Sequence, residues 1–500
     1  MRRRRVFNHK IVFRTMGVLL LFEALFMSIA TGVSWLYNDP DVGAFVTSSL
    51  ITWVSGTILL IIGTGAEKHV SEREGYVIVA FVWLLFSAFG MLPYYLSGYI
   101  PTITNAWFET MSGFTTTGAT ILEDIEVLSH GALFWRSLTQ WIGGMGIIVF
   151  CVALLPMFGL GGMQLYSAEM NGLSYEKLSP RISYTARHLY ITYIVITGIE
   201  VLLLWLEGMD IFDSVCHSLS TIATGGFSTK NLSIAYYDNP MIQYTIAFFM
   251  LLSGINFALI ILLFRGKGGR LLHDEETHWY LGAVGIVTLV LTIGLIVNRF
   301  VELGTFGIQG QVWGVLESSF REGLFTTIAT MTSTGFAVSD YIQWPSFLWC
   351  MVFFLMLTGA SSGSTSGGIK WIRIMIFFKA GIAEFKRRIH PNAIVPIKIN
   401  GNPVSQQTIN NVMAFIVLYI LTIIASILVF CALGVSFDES IGAAFSAIGN
   451  IGPSLGQYGP AGTYASFPAL GKWIMTIVML IGRLEIFTVL LLFTRALWKK

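Results

Sequence analysis

The sequence predicts an all-α polytopic membrane protein. Four span–short helix–span repeats close a pseudo-fourfold ring, and two extra transmembrane helices precede them. Three observations predict it: too little charge for a water-facing surface, ten apolar runs of spanning length, and a four-times-repeated glycine segment between spans. The chain has 500 residues, of which 54% are hydrophobic and 12% charged. Soluble domains carry about 25% charged residues, so a soluble enzyme, a disordered chain and a nucleic-acid binder are excluded. Four scattered cysteines, Cys151, Cys216, Cys350 and Cys431, lie in apolar surroundings without CxxC or CxxH spacing. They read as small core hydrophobes, neither a disulfide framework nor a zinc site.

About 20 apolar residues cross the roughly 30 Å of hydrocarbon in a bilayer. Such runs occupy 16–36, 44–64, 76–97, 134–155, 189–206, 241–264, 279–297, 346–379, 411–433 and 470–492. The first follows Arg2, Arg3, Arg4 and Arg5 but exceeds a typical signal-peptide core, so it reads as an uncleaved span. With both termini in the cytoplasm, 22 of the 30 Lys and Arg fall on cytoplasmic segments. The outside holds only Arg136, Lys230, Arg299, Arg321 and Lys472. Adding or losing one span would invert the later loops and destroy this bias, so the charges support ten. Acids such as Asp39, Asp41, Glu109, Glu123, Asp213, Glu322 and Asp340 fall outside. They make either a cation-concentrating mouth or a solvated rim.

Four outer segments share one pattern: AWFETMSGFTTTGAT (106–120), SVCHSLSTIATGGFSTKN (214–231), GLFTTIATMTSTGFAVSDY (323–341) and SIGAAFSAIGNIGPSLG (440–456). Each opens with about ten residues, too few to span, and reaches a glycine: Gly118, Gly225, Gly335 or Gly452. The chain therefore divides into two leading helices (1–70) and four repeats: 71–180, 181–270, 271–395 (with a broken second helix) and 396–500. A short helix followed by irregular backbone cannot face lipid, where each unsatisfied amide or carbonyl costs several kcal/mol. Four such copies in one chain meet on a common axis.

Thr116 and Thr117, Ala223 and Thr224, Ser333 and Thr334, and Asn450 and Ile451 precede the four glycines. No carboxylate, lysine or histidine lies beside them. Neutral loops in which glycine permits unusual φ/ψ can turn carbonyl oxygens inward, where they replace a cation's hydration shell. The short helices also aim negative C-terminal ends at the axis. The residues therefore describe a cation pore.

The eighth run, 346–379, holds 34 residues, about 51 Å as a straight helix. A break is expected at Gly359, Ala360, Ser361, Ser362, Gly363, Ser364, Thr365, Ser366, Gly367 and Gly368, which carry no large apolar side chain. It lies below the third glycine loop, where it can cross the pathway as a gate. The alternative is tight helix packing through small residues. Arg483, mid-span, is a functional candidate by its cost alone; a structural salt bridge is the alternative, for which Glu485 is poorly placed. Lys370 follows the glycines and is expected to anchor the lower half-helix.

The motifs SGFTTTGAT, TIATGGFST, TSTGFAVSDY, NIGPSLG, QWIGGMGI, GASSGSTSGGIKWIR and MLIGRLEIFT together resemble the Trk/Ktr/HKT cation transporters over nearly the whole chain. The leading pair of spans places the resemblance in the TrkH branch. It implies potassium uptake across the cytoplasmic (inner) membrane through a gated, channel-like pore, with glycine in all four loops going with potassium selection. Segment 359–368 resembles the family's intramembrane gating loop, and Arg483 its motif arginine. The resemblance further implies a homodimer and a cytosolic ring of nucleotide-binding regulatory subunits of the TrkA type. Potassium is then the transported ligand, held at the loop residues, and no covalent cofactor is expected.

Two other classes compete. Gly359–Gly363 matches GxSxG, the signature of a serine nucleophile, but lacks the strand–turn–helix context, and His217 has no evident route to Ser361. His273 and His278 do not form HExxH, and no GxxxxGK[ST] occurs. A proton- or sodium-coupled potassium symporter needs an intramembrane acid, for which Glu23, Glu200 and Glu485 are the candidates.

Overall fold

The computed structural model describes residues 7–66, 72–146, 182–303 and 312–498. The expectations on Cys151, on the second half of span 134–155 and on Lys68, Lys177 and Arg181 lie outside these residues. The chain is an all-α polytopic membrane protein. Among the described residues the only strands are a two-residue hairpin, Lys398–Ile399 with Asn402–Pro403.

The leading helices His9–Leu36 and Val42–Ile62 pack on one another through glycine. A Cβ at Gly17 would lie 2.8 Å from the Gly56 carbonyl oxygen, and one at Gly63 would meet the Arg14 backbone. Small residues thus bring the two backbones together, the usual device where lipid supplies no hydrophobic drive between helices. Among the described residues, six helices are long and apolar enough to cross a membrane, and two bent pairs would make one span each. The other two expected spans are 134–155, which continues past the described residues, and 346–379, which is interrupted.

Three short helices have the expected size: Ile103–Phe114, Ile211–Ile222 and Phe437–Gly449. The third, Val312–Met331, has 20 residues. Its extra outer turns carry Glu317, Arg321 and Glu322, and the charges find partners: Arg321–Glu317 at 2.8 Å and Arg299–Glu322 at 2.6 Å. Polar pairing therefore extends this helix where the other three begin near the interface.

The second span of a repeat was expected to break only in repeat three. It also breaks in repeats two and four: Pro240–Ser253 meets Phe257–Phe264 at 103°, and Ala469–Leu484 meets Ile486–Leu492 at 119°. At the first bend, a Cβ on Gly254 would collide with the Tyr280 hydroxyl, and Asn256 caps the new helix through its bond from the Ala258 amide at 2.9 Å. At the second, Glu485 sits at φ 61°. Both runs are apolar enough on average to read as one span, so hydropathy alone conceals a bend that caps and glycines encode. In repeat three Ser346–Leu355 and Trp371–Ile389 are separated by a loop.

Candidate ion pathway: four converging loops and the segment beneath

Each short helix ends in the same backbone turn. One residue goes left-handed: Thr116, Thr224 and Ser333 at φ 54°, and Asn450 at φ 53°. The next amide reaches back five residues: Thr117 to Ser112, Gly225 to Ser220 and Thr334 to Ala329 at 2.9 Å, and Ile451 to Ser446 at 3.1 Å. The following residue is a glycine at positive φ: Gly118 and Gly226 at 78°, Gly335 at 75°, Gly452 at 97°.

This pattern corrects the expected register in repeat two. Gly226, and not Gly225, is the counterpart of Gly118, Gly335 and Gly452; Gly225 matches Thr117, Thr224 matches Thr116, and Ala223 matches Thr115. The paired glycines misled the reading. The Gly-Phe pair shared by Gly226-Phe227 and Gly335-Phe336 carried the correct register.

The loops meet. A Cβ on Gly118 would run into the Gly225 carbonyl oxygen, one on Gly226 into that of Thr334, one on Gly335 into that of Ile451, and one on Gly452 into that of Thr117. Each glycine thus lies against the carbonyl before the next repeat's glycine, and the fourth contact returns to the first loop. The circuit closes, with carbonyls of Thr117, Gly225, Thr334 and Ile451 in equivalent positions. Only glycine allows both the φ and the approach.

Second-span side chains secure the loops from behind. Gln140, fully buried, donates to the Gly225 carbonyl at 2.6 Å and accepts from the Phe227 amide at 3.0 Å. Arg136 pairs with Glu109 at 2.7 Å, donates to the Ser228 carbonyl at 2.9 Å and lies 3.6 Å over the Phe227 ring. Sequence reading missed both Gln140 and this buried pair; Arg136 and Gln140, one turn apart on a face aimed at the loops, were the available signal. The outer cavity is lined by the four positive-φ glycines with Glu123, Asp340, Arg136 and Lys230. Of the outer acids, Glu123 and Asp340 line this cavity, while others are engaged elsewhere. Asp39 binds the Gly131 amide at 2.9 Å, Asp41 accepts from Ser34 at 2.6 Å, and Asp213 accepts from Thr229 at 2.7 Å.

Segment 359–368 lies against the lower side of the ring, where three of its contacts reach the left-handed residues. Thr224 Oγ1 donates to Thr365 Oγ1 at 3.2 Å, and the Gly367 amide donates to Ser333 Oγ at 2.6 Å. A Cβ on Gly367 would lie 2.9 Å from that of Asn450. Thr365 Oγ1 also donates to the Ile222 carbonyl at 3.1 Å, and the Ser361 amide to that of Gly254 at 3.0 Å.

Arg483 completes the set. It donates to Thr116 Oγ1 at 3.1 Å, to the Thr365 carbonyl at 2.6 Å, and to the carbonyls of Gly143 and Gly144 at 2.6 and 2.5 Å. Its guanidinium therefore ties repeat four, the repeat-one loop and segment 359–368 together. Glu485 turns instead to Arg373, at 2.6 Å. Lys370 precedes the lower half-helix, but its ammonium returns to the loop: it bonds the Ser366 carbonyl, Ser366 Oγ at 3.1 Å and Ser364 Oγ at 3.4 Å. Below the loop a cavity is lined by Ser362, Gly363, Ser364, Ser366, Gly367, Gly368, Lys370, Arg373, Arg483 and Glu485. Glu23 and Glu200 are fully buried and line neither cavity. His217 engages the Asp213 carbonyl at 2.8 Å and Ser228 Oγ at 2.9 Å, and Ser361 Oγ has no hydrogen-bond partner among the described residues.

Residues 43–500 match the model of the TrkH family, described as a cation transport protein. The chain belongs to the TrkH family. It is 36% identical over 496 residues to the "Trk system potassium uptake protein TrkH" of Escherichia coli K12, covering 99% of this chain and 100% of that one. The protein of that name from Halomonas elongata is 36% identical over 493 residues, covering 98% and 99%. Among solved structures, the potassium transporter TrkH from Vibrio parahaemolyticus superposes with a TM-score of 0.86 at 32% identity, over 99% of this chain and 100% of that one. TrkH is a family of transporters and not of enzymes, which removes the serine-protease reading of Gly359–Gly363.

Proposed function

We propose that this chain takes up potassium across the cytoplasmic membrane through a gated pore. The closed circuit of glycines and carbonyls carries the reading. Four uncharged carbonyls at one level offer a monovalent cation oxygens in place of water, and the C-terminal ends of the short helices add negative potential. With no carboxylate in the ring, binding stays weak enough for the ion to leave. The filter residues are Thr116, Thr117, Gly118, Thr224, Gly225, Gly226, Ser333, Thr334, Gly335, Asn450, Ile451 and Gly452, with Ala223 as the cap behind them.

Segment 359–368 with Lys370 and Arg483 is the gate in this reading. The segment obstructs the route below the ring, and the guanidinium opposes an ion there. A unit charge about 6 Å away raises a cation's energy by about 3 kcal/mol at an effective dielectric of about 20. The relatives' name supports a multi-subunit system, so the basic cytoplasmic surface at Lys386, Arg387 and Arg388 is the proposed dock for a cytosolic, nucleotide-binding regulatory subunit of the TrkA type, on a homodimer of this chain. The four repeats at 71–180, 181–270, 271–395 and 396–500 each contribute one loop.

Purified protein in liposomes tests the proposal. Rubidium or potassium uptake that follows the ion gradient and exceeds sodium uptake is expected; equal sodium and potassium flux, or flux that requires a proton or sodium gradient, contradicts it.

A further inference from the structure

We infer that Glu276 is the positioning residue that latches the gate, and that the cytoplasmic hairpin at 398–403 is tied to that latch. Glu276 lies at the cytoplasmic start of the span Glu275–Leu303 and is buried. Its carboxylate accepts from the Ser362 amide at 2.6 Å, from Ser362 Oγ at 2.8 Å and from the Ile372 amide at 3.1 Å. Ser362 lies near the start of the glycine–serine segment, and Ile372 lies in the first turn of the half-helix that follows it. One carboxylate, from a different span, therefore holds both sides of the loop.

The chemistry suits a latch. Hydrogen bonds to an ionised acceptor are about twice as strong as neutral ones. The half-helix Trp371–Ile389 has no side-chain cap of its own from Lys370, so Glu276 supplies the missing acceptor where a helix N-terminus favours an anion. The bond from the Trp371 amide to the Ala360 carbonyl, 3.2 Å, closes the same neck. Release of Glu276 frees two backbone amides at once, while the contacts of the segment to the ring, to Gly254, to Lys370 and to Arg483 remain.

The neighbouring acids face the cytoplasmic hairpin. Asp274 Oδ1 accepts from Asn400 Nδ2 at 2.9 Å; the Glu275 amide donates to Asn400 Oδ1 at 2.8 Å, and Glu275 Oε2 accepts from the Asn400 amide at 3.1 Å. Lys379 pairs with Glu275 and donates to the Lys398 carbonyl at 2.8 Å. Lys398, Asn400, Gly401 and Asn402 are exposed, while Ile399 is buried. Three consecutive acids thus join an exposed turn to a buried loop, so that pulling the hairpin displaces the residue next to the latch.

The latch presupposes that segment 359–368 is the gate, and the experiment separates the two. Rubidium flux into liposomes is measured for the wild-type chain, a deletion of 361–367, E276A, E276Q, S362A, N400A, and E276A combined with S362A or N400A. The deletion is expected to raise flux. E276A is expected to raise it about tenfold or more, a ratio that corresponds to about 1.4 kcal/mol. E276Q and S362A rise less, because each retains part of the bonding, and the potassium-to-sodium ratio stays at the wild-type value throughout. S362A and N400A add little to E276A, because Ser362 bonds the Glu276 carboxylate directly and Asn400 reaches it through its neighbours Asp274 and Glu275.

If the deletion raises flux while E276A, E276Q and S362A do not, the latch is wrong and the gate stands. If the deletion leaves flux unchanged, the gate and its latch fail together. A shifted ion ratio in E276A would mean that the acid acts through the ring, which also overturns the latch. Full additivity of N400A with E276A would cut the hairpin out of it. Should E276A not fold, E276Q and S362A make the same test.

Discussion

Gly118 sits at φ 78° with a neighbouring carbonyl where its Cβ would be. A left-handed conformation costs a non-glycine residue about 1–2 kcal/mol, and overpacking adds about 1–3 kcal/mol. Gly118→Ser is therefore expected to displace one carbonyl of four and to lower the potassium-to-sodium permeability ratio, read from reversal potentials or paired isotope fluxes. Wild-type selectivity in a folded Gly118→Ser protein would remove Gly118 from the ring. The corrected register makes a sharper comparison. Gly226→Ala faces both a positive φ and a backbone carbonyl, whereas Gly225→Ala meets only the Gln140 side chain, which can turn away. Gly226→Ala should cost more thermal stability and more selectivity than Gly225→Ala; the reverse order would return the ring position to Gly225. Arg483→Gln, which keeps donors but removes charge, is expected to raise inward rubidium flux, on the order of a hundredfold if the whole of about 3 kcal/mol acts on the barrier. A fall in flux would mark Arg483 as purely structural.

Among the elements, the segment between Leu355 and Trp371 was the most legible in advance. Thirty-four residues exceed the bilayer, and ten consecutive small residues cannot hold a lipid-facing helix. The bends at Gly254 and Glu485 were not legible, because each half is apolar and the two lengths add up to one ordinary span. What reveals them is local: Asn256 as a cap and a residue at φ 61°. The register slip in repeat two has a similar origin. Composition shows that a glycine is needed, while φ depends on where the helix actually ends, at Ile222 with Ala223 as its C-cap. In the proposed reading, deleting Ser361–Gly367 removes the gate together with the contacts of Thr365 and Gly367, and should raise cation flux without changing the ion ratio. Lower flux from a monodisperse deletion protein would count against the gate.

At the scale of the molecule, the fold class and the family were legible in advance, because hydropathy, charge bias and repetition are properties of the whole chain. The partners that hold the ring in place were not. Gln140 with Gly225, Glu109 with Arg136, and Glu276 with Ser362 and Ile372 bring together residues distant in the chain, and spacing along the chain does not encode them. In the proposed reading the ring binds its ion in the folded state alone, so the protein is expected to gain stability from that ion by mass action. Thermal unfolding in detergent should shift upward with potassium or rubidium and much less with sodium at equal ionic strength. An identical shift for all three would argue that the ring does not discriminate.

The most direct measurement is the anomalous scattering of crystals grown in rubidium. The account predicts a peak on the axis, among the carbonyl oxygens of Thr117, Gly225, Thr334 and Ile451 and above Arg483. Ordered rubidium elsewhere in the protein with that axial position empty would contradict it.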